Sequence, residues 1–436
     1  MDNLNQLQIY CTELASALTS FLGHYQNSNF QQCTIAQPAS DSEEVQRARE
    51  KILSLLTKIK TLIWSPTDFL QHLASQNEIL ACLHWLGENQ ILACIPSAGS
   101  VPIKDIADLS GVSATQLSRT IRLSATAGFL VEPQAGHVAH TQLSATFISN
   151  PSLLDAAEFL SEFVAPVTLQ MPQHVTTQQR PGHSQQQPSA DDSVPPSVES
   201  FQAARERRPK INRQWPAYLH HVGGLYAAKD VAAILTQLNW AKITNVPDAC
   251  IIEVNVQPLS NSISQSLAQI YPLLHFNVQV LDNEPGTTSA PELEDLNPRL
   301  TVTSRTLGKR QRVSDAVVYI LHLPSASTSI VLDELTAHVD ALRTRGSIML
   351  ILTARVLPEP GSLSDPEAEA KARSRDLALL QLTNEGEMEM DDLLEIIGTV
   401  GDNTGRLVVT KKLCARNGLV VALVVKYQAG QPIREI

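Results

Sequence analysis

The chain has 436 residues, of which 43% are hydrophobic and 18% are charged, and its formal net charge is −11. That balance is typical of a globular protein with two or three domains and excludes a fibrous or wholly disordered chain. Because phosphate backbones repel an acidic protein, any contact with nucleic acid would need a local basic patch. The six cysteines show no pair with metal-ligand spacing, so we expect no metal site.

The N-terminal part of the sequence is predicted to be helical. Apolar residues recur at helical spacing over residues 1–30 and 42–63, and a mostly apolar helix is predicted over Asp68–Leu92, where it should be buried. We therefore predict N-terminal helices over residues 1–64, whose apolar faces could bind another protein or mediate homodimerisation. The start of the chain lacks the pattern of a secretory signal, and its longest apolar run, Leu419–Val425, is too short to cross a membrane. We expect an intracellular protein without membrane contact.

Residues 65–165 are predicted to form a winged-helix domain. Gly111 should end one helix and Ser113 should cap the next, and residues 130–140 have the pattern of a short hairpin. Such a domain could bind DNA. However, the basic residues between 99 and 150 are balanced by acidic ones, whereas a DNA-reading helix usually presents a basic surface. We therefore favour packing and dimerisation, and we expect no direct sequence-specific DNA binding.

A change in composition marks the middle of the chain. Residues 166–200 are rich in Gln, Pro and Ser and are predicted to be a flexible linker. A basic cluster follows, formed by Arg207, Arg208, Lys210 and Arg213. It is interpreted either as a nuclear import signal or partner-docking patch, or as the solvated start of a helix.

The C-terminal domain is predicted over residues 201–436. After residue 245, apolar strands alternate with amphipathic helices, which indicates an α/β fold with a mostly parallel sheet. The last two strands lie close together in sequence and suggest an antiparallel edge. In open sheets of this kind the ligand lies beyond the carboxyl ends of the strands, and the first strand-to-helix turn is usually rich in glycine. Here that turn, residues 253–259, has the sequence EVNVQPL and contains no glycine.

The two domains together resemble S-adenosylmethionine-dependent O-methyltransferases that carry a winged-helix dimerisation domain. The matching stretches are Gly111-Val112, Tyr271-Pro272, Asp315, Pro358–Gly361 and Arg375–Leu377. The resemblance implies a Rossmann-like class I methyltransferase fold, in which an acidic residue, a hydrophobic residue and a run of glycines form the cofactor turn. The acid survives as Glu253, but the positions expected to hold the cofactor are degenerate: Asn255, Val256, Gln257, Leu259 and, where the family has a ribose-binding carboxylate, Val280.

A general base is the third requirement that the resemblance implies. The family has a His-Asp pair after the fourth strand, whereas Leu323–Ser329 contains neither residue and His322 comes too early, as is typical of a structural histidine. We therefore predict a pseudo-methyltransferase with no catalytic residues, no cofactor and no metal. Two alternatives remain. One is an active S-adenosylmethionine-dependent O-methyltransferase acting on a polyketide phenol. The other is a pocket that binds a pathway intermediate without chemistry.

Longer stretches resemble a more specific family, the aflatoxin-cluster transcriptional coactivators (AflS/AflJ type) of filamentous fungi. These stretches are ILACLHWLGENQILACIP at 79–96, GFLVEPQAGHVAHT at 128–141, RPKINRQWPAYLHHVG at 208–223, and the segment 357–393. The resemblance implies a coactivator of a polyketide gene cluster that binds a pathway-specific zinc-cluster transcription activator. It also implies a location in the nucleus, with the cytoplasm left open as a second location.

Overall fold

The computed structural model describes residues 2–27, 43–172, 207–223, 249–256, 262–281, 299–323, 327–345, 348–353, 356–361, 365–384, 386–414 and 420–430, together with single residues at 201, 205 and between 231 and 246. The chain divides into two compact units. The first unit is Met1–Gly223 with Asp365–Glu367, and the second is Gly224–Ser364 with Ala368–Ile436. No helix in the described ranges combines the length and apolar character that a membrane span requires.

The first unit is mainly helical. Its elements are α1 (Asp2–Asn27), α2 (Glu43–Ile63), α3 (Pro66–Glu88), α4 (Ile91–Cys94), β1 (Val101–Pro102), α5 (Ile103–Ser110), α6 (Ala114–Thr126), β2 (Leu130–Val131), β3 (His137–His140), α7 (Gln142–Ser149), α8 (Pro151–Phe159), a π-helical turn (Leu160–Val164), α9 (Ala165–Leu169) and α10 (Pro209–His221). A capping box between Ser65 and Asp68 starts α3.

The predicted winged helix is present. Gly111 adopts the left-handed conformation that ends α5, and the Ser113 hydroxyl accepts a hydrogen bond from the Gln116 backbone at the start of α6. Strands β2 and β3 pair as an antiparallel hairpin, and β1 pairs with the other edge of β3. Buried apolar side chains, including Ile106, Leu117 and Ile121, form one core beneath these elements.

The prediction that the helix at 68–92 is buried was wrong for its first half. The helix ends at Glu88, and only its last turns enter the winged-helix core, where Leu86 is fully buried. Phe69, Leu70 and Leu73 are exposed, Leu70 at 65%. The helix is long enough to extend beyond the core of its own unit, which helical periodicity alone does not reveal.

The boundary between the domains also differs from the prediction. Residues 165–169 are helical (α9) and so are not linker, and residues 173–200 lie outside the described residues. The first compact unit extends to Gly223, so the C-terminal domain does not begin at 201. The physical reason is an aromatic cluster in which Phe201, Trp215 and Tyr218 pack around Phe159 of α8.

The second unit contains an eight-stranded sheet with the order β11-β12-β13-β8-β7-β4-β5-β6. Its elements are β4 (Cys250–Val256), α11 (Ser264–Ile270), β5 (His275–Leu281), β6 (Leu300–Arg305), β7 (Val318–His322), α12 (Thr328–Arg345), β8 (Ile348–Thr353), β9 (Val356–Leu357), α13 (Pro366–Thr383), β10 (Met388–Glu389), α14 (Met390–Thr399), β11 (Gly401–Asp402), β12 (Gly405–Cys414) and β13 (Val421–Ala429). Strands β4 to β8 of this sheet are parallel, and β11 to β13 form an antiparallel edge. The predicted fold class is confirmed.

Both faces of the sheet are covered. Leu267 and Ala268 of α11 pack against one face, and helices α12 and α14 cover the other with residues such as Leu335 and Leu393. Strand β4 lies between β5 and β7, and its residues from Ile251 to Val256 are buried. The centre of the sheet therefore positions the turn after β4, where the sequence predicts a degenerate cofactor site.

Candidate functional site

Glu253 lies in β4 with a carboxylate that is fully enclosed by protein. The carboxylate accepts hydrogen bonds from the Ser262 hydroxyl at 2.6 Å and from the backbone N–H groups of Ile263 and Ser264, both at 3.0 Å. His322, at the end of β7, brings its Nε2 atom within 2.8 Å. Two of these donors are backbone groups at the start of α11, where free N–H groups favour a negative charge.

The protonation of Glu253 follows from these contacts. Burial acts to raise the pKa of the carboxyl, but hydrogen bonds from His322, Ser262 and Ser264 outweigh it and hold the pKa below its ordinary value. The carboxylate is therefore a charged group whose acceptor sites are occupied by the protein's own donors. Its role in this geometry is to tie β4, β7 and the start of α11 together.

Asn255 occupies the first glycine position of the family pattern, and it keeps a glycine-like backbone. Its φ is +63°, in the left-handed region, and the pairing register of β4 with β5 shifts across it. Its Nδ2 atom donates to Glu334 Oε2 at 3.2 Å and to the His322 carbonyl at 3.4 Å. The side chain is buried, and its Oδ1 atom has no hydrogen-bond partner among the described residues.

Glu334 of α12 is the centre of a buried polar network behind Asn255. It accepts hydrogen bonds from Arg305 at 3.2 and 3.3 Å and from the Gly308 backbone. His338, one turn along α12, is fully buried. Its burial and the nearby Arg305 lower the pKa of the imidazole to about 4, so the ring is neutral at physiological pH. This network is not predicted from the sequence, where its signal is a Glu-His pair four residues apart in α12.

The remaining predicted positions are distributed as follows. Val256 is buried in the core on the α11 face, and Val280 packs against the same core, so neither presents a polar group. Gln257, Leu259 and residues 324–326 lie outside the described residues. His322 contacts the buried Glu253 carboxylate, an arrangement that agrees with the structural role predicted for this histidine.

The predicted basic cluster is largely engaged within its own unit. Lys210 Nζ lies 2.9 Å from carboxylate oxygens of Glu88 and Glu162 and 3.3 Å from Glu158. Burial opposes its charge, but hydrogen bonds to Glu162 and Glu88 raise the pKa of Lys210 above its usual range. Arg213 likewise pairs with Asp155 at 2.8 Å.

Arg207 and Arg208 are exposed at the start of α10. An import or docking role for the four basic residues stays a prediction. His84 joins Glu88 and Glu162 within 4.8 Å in an arrangement that could hold a metal ion. The Lys210 ammonium already supplies a positive charge to those two glutamates, so this set does not fit a cation site.

The fold is similar to that of several solved structures. Over 98% of this chain and 100% of the other, the structure is similar to the crystal structure of OxaC in complex with SAH and oxaline, with 15% identity and a TM-score of 0.64. It is also similar to LepI in complex with SAM, over 96% and 100% of the two chains, with 16% identity and a TM-score of 0.63. These similarities define a methyltransferase-like α/β protein with a helical N-terminal region.

The relatives define the family more narrowly. The chain is 55% identical to the transcriptional coactivator nsrH of Aspergillus novofumigatus, over 99% of this chain and all of that protein. It is 40% identical to the trypacidin cluster transcriptional coactivator tpcD of Aspergillus fumigatus, over 98% of each chain. Residues 4–64 match the model of the N-terminal domain of the trypacidin cluster coactivator tpcD. The chain belongs to the family of fungal gene-cluster transcriptional coactivators. Membership of the aflatoxin-cluster type in particular stays a prediction.

Proposed function

We propose that this coactivator acts without methyl transfer, by binding the pathway-specific zinc-cluster activator of a polyketide gene cluster through protein–protein contacts in the nucleus. A coactivator needs to change the activator's affinity for its promoter only modestly, because coupling free energies of about 1–3 kcal/mol alter occupancy severalfold or more. The observation that carries the proposal is the buried polar network at the end of β4.

The network bears directly on the cofactor. In the resembling methyltransferases a glycine turn lets the backbone approach adenosylmethionine. Here the Asn255 side chain fills that position and bonds to Glu334, and the Glu253 carboxylate is saturated by Ser262, His322 and the start of α11. The described residues at this turn therefore do not fit adenosylmethionine, which supports a role without catalysis.

Calorimetry of the full chain tests the loss of catalysis. Titration with S-adenosylmethionine and with its demethylated product should give no binding heat up to millimolar ligand. Binding with a micromolar dissociation constant would favour the alternative, an O-methyltransferase acting on a polyketide phenol.

Co-precipitation with the zinc-cluster activator encoded in the same gene cluster tests whether the chain binds that activator. Failure to retain that activator would argue against the proposal.

The winged helix supports a role without direct DNA binding. Arg122, one of two basic residues on α6, donates to Glu132 at 3.0 and 3.2 Å. The carboxylate offsets the charge that a phosphate contact would use. A gel shift by the isolated protein at physiological salt would contradict this part of the proposal.

A homodimer is supported by apolar side chains that the first unit leaves exposed on its N-terminal helices. They are Leu4, Leu18 and Leu22 of α1, Leu53, Leu56 and Ile63 of α2, and Phe69, Leu70 and Leu73 of α3. We call this set the N-terminal apolar surface. Leu18 and Leu22 are one helical turn apart and share a face, as are Phe69 and Leu73, and apolar faces of this kind commonly mark a protein interface. We propose that a second copy of the chain covers it.

A further inference from the structure

A second basic segment lies in the C-terminal unit, on the loop between β6 and β7. Lys309, Arg310 and Arg312 are exposed there, Arg310 at 76% of its side chain. They line one side of a cleft of about 590 Å³, and Asp340 and Thr344 of α12 line the other. In an acidic chain, this grouping of cations is a local reversal of charge.

Buried hydrogen bonds fix the backbone that carries these cations. The Gln311 side chain points inward and exchanges hydrogen bonds with Gln279 at 2.9 and 3.1 Å. The Gln311 backbone N–H donates to the Ala337 carbonyl at 2.9 Å, and Tyr319 donates to the Val313 carbonyl at 2.7 Å. These bonds hold the backbone at residues 311 and 313, between and beside the exposed cations, and so reduce the ordering that binding would require.

The charges of the cleft are not balanced internally. Asp340 pairs with Arg310 at 2.8 Å and also with Arg343 of α12 at 2.8 Å. Among the described residues, no ion pair is found for Lys309 or Arg312. Two cations on a fixed backbone, with Arg310 held beside them, form a surface complementary to carboxylates.

We propose that this basic loop, residues 308–314, is the docking surface for an acidic segment of the activator. The inference rests on the proposed function and names the surface that it uses. Asp340 interrupts the positive charge of the cleft. This favours a polypeptide over nucleic acid, because a duplex presents a continuous row of phosphates, whereas the carboxylates of a polypeptide can be spaced to avoid Asp340. The polar lining of the cleft likewise suits peptide carboxylates better than an apolar metabolite.

Fluorescence anisotropy with the full chain tests the proposal. The probe is a labelled peptide of about 20 residues, the number that one partner contributes to a standard protein interface. Its sequence alternates Glu or Asp with Leu. The variant Lys309→Glu/Arg312→Glu should weaken binding by about tenfold or more, and the wild-type affinity should fall as salt rises. The control Lys371→Glu/Lys411→Glu makes the same change in net charge at exposed lysines of the same unit and should stay within about twofold of wild type.

The possible results distinguish a failure of the loop as docking surface from a failure of the proposed function. The proposal is overturned if the loop variant binds the peptide as tightly as wild type does. It is also overturned if the wild-type chain binds duplex DNA of the same length as the peptide more tightly than it binds the peptide. If circular dichroism shows that the variant is misfolded, Lys309→Gln/Arg312→Gln replaces it with the same expectation. Co-precipitation then uses the activator itself. If the wild-type chain, the loop variant and the control variant all retain the activator, the loop is not the docking surface and the proposed function stands. No retention by wild type counts against the proposed function, and the peptide titration still decides whether the loop binds acidic segments.

Discussion

Glu253 is buried and carries its negative charge among donors from separate segments of the chain. Its carboxylate is surrounded by a hydroxyl, two backbone N–H groups and an imidazole, so its negative charge is solvated by protein groups. Removing one member of a buried, hydrogen-bonded charge set leaves the others unsatisfied and is strongly destabilising. This residue is therefore expected to contribute to stability.

Glu253→Gln should lower the free energy of unfolding of the second unit by about 3 kcal/mol at neutral pH. Because the folded-state pKa of Glu253 lies below its unfolded value, its contribution is complete above the unfolded pKa of about 4.3 and is lost as pH falls through the folded pKa. The difference between variant and wild type should therefore shrink in acid. Hydrogen exchange of the β4 amides at several pH values measures it. Ser262→Ala, which removes one donor, should cost about 1 kcal/mol. Equal protection of wild type and Glu253→Gln at pH 7 would refute the expectation.

The backbone at Asn255 predicts an unusual order of stabilities. Both Asn255→Gly and Asn255→Ala remove the hydrogen bond to Glu334, but only alanine also carries the cost of a left-handed backbone, about 1–2 kcal/mol. We expect wild type to be most stable, then the glycine variant, then the alanine variant. Chemical denaturation of the three proteins gives the order. An alanine variant as stable as the glycine variant would show that the left-handed conformation at residue 255 is not maintained.

The sequence identified candidate residues at this site, whose role stays a prediction, but it did not reveal the contacts that they make. The missing glycines could be recognised because the acid and the strand before them are intact. The partners of Glu253 and Asn255 could not be predicted, because Glu334, His322 and Ser262 come from separate segments that only the folded sheet brings together. Likewise, the cations at 309–312 were overlooked in favour of 205–213. Lys210 and Arg213 are held in ion pairs, whereas no ion pair is found for Lys309 or Arg312 in the part of the chain that the structure describes. Such pairing depends on contacts between distant segments and cannot be predicted from the sequence of either cluster.

At the scale of elements, α10 shows how a helix can be held by charge as well as by aromatic packing. Lys210 contacts three glutamates of α3, α8 and the π-helical turn, and Glu158 among them has a side chain only 12% exposed. Without the ammonium, these carboxylates would repel one another. The pairing is partly screened by solvent, so its contribution is moderate.

Lys210→Met should therefore destabilise the first unit by about 1–2 kcal/mol at low salt and by less at high salt. Because the folded pKa of Lys210 is raised, its contribution is fully present below the unfolded pKa of about 10.4 and is lost only as pH rises through the folded value. The difference from wild type should therefore persist across neutral pH. Thermal unfolding at two salt concentrations measures it. Arg208→Met is the control, since no ion pair is found for Arg208 in the described ranges. Equal losses in the two variants would contradict the prediction.

Elements with strong periodicity were predicted well. The alternation of strands and helices after residue 245 is present as predicted, because strands buried on both faces are largely apolar runs. Errors arose where contacts are distant in sequence. The unit boundary at Gly223 depends on Phe159 packing with Trp215, and the exposed half of α3 depends on where the winged-helix core ends.

For the whole molecule, the N-terminal apolar surface predicts assembly. Leu18→Glu/Leu22→Glu places two charges on the exposed face of α1 and should convert a homodimer to monomer, because buried unpaired charges are costly. Light scattering after size-exclusion chromatography gives the mass. Ser16→Glu/Ser20→Glu, an equal change at exposed serines of the same helix, is the control and should remain dimeric. A wild-type chain that is monomeric at micromolar concentration would refute the dimer.

The network around Asn255 also determines how readily the turn after β4 could be opened by substitution. Consider the replacement of Asn255 by glycine. Glu334 would lose a donor, the His322 carbonyl would lose another, and an orphaned space would open beside Arg305 before any cofactor affinity was gained. Because residues in one network are energetically coupled, replacing Asn255 is costly while Glu334 and Arg305 are unchanged. Folding stability therefore opposes a more open turn at position 255, whatever ligand such a turn would accept.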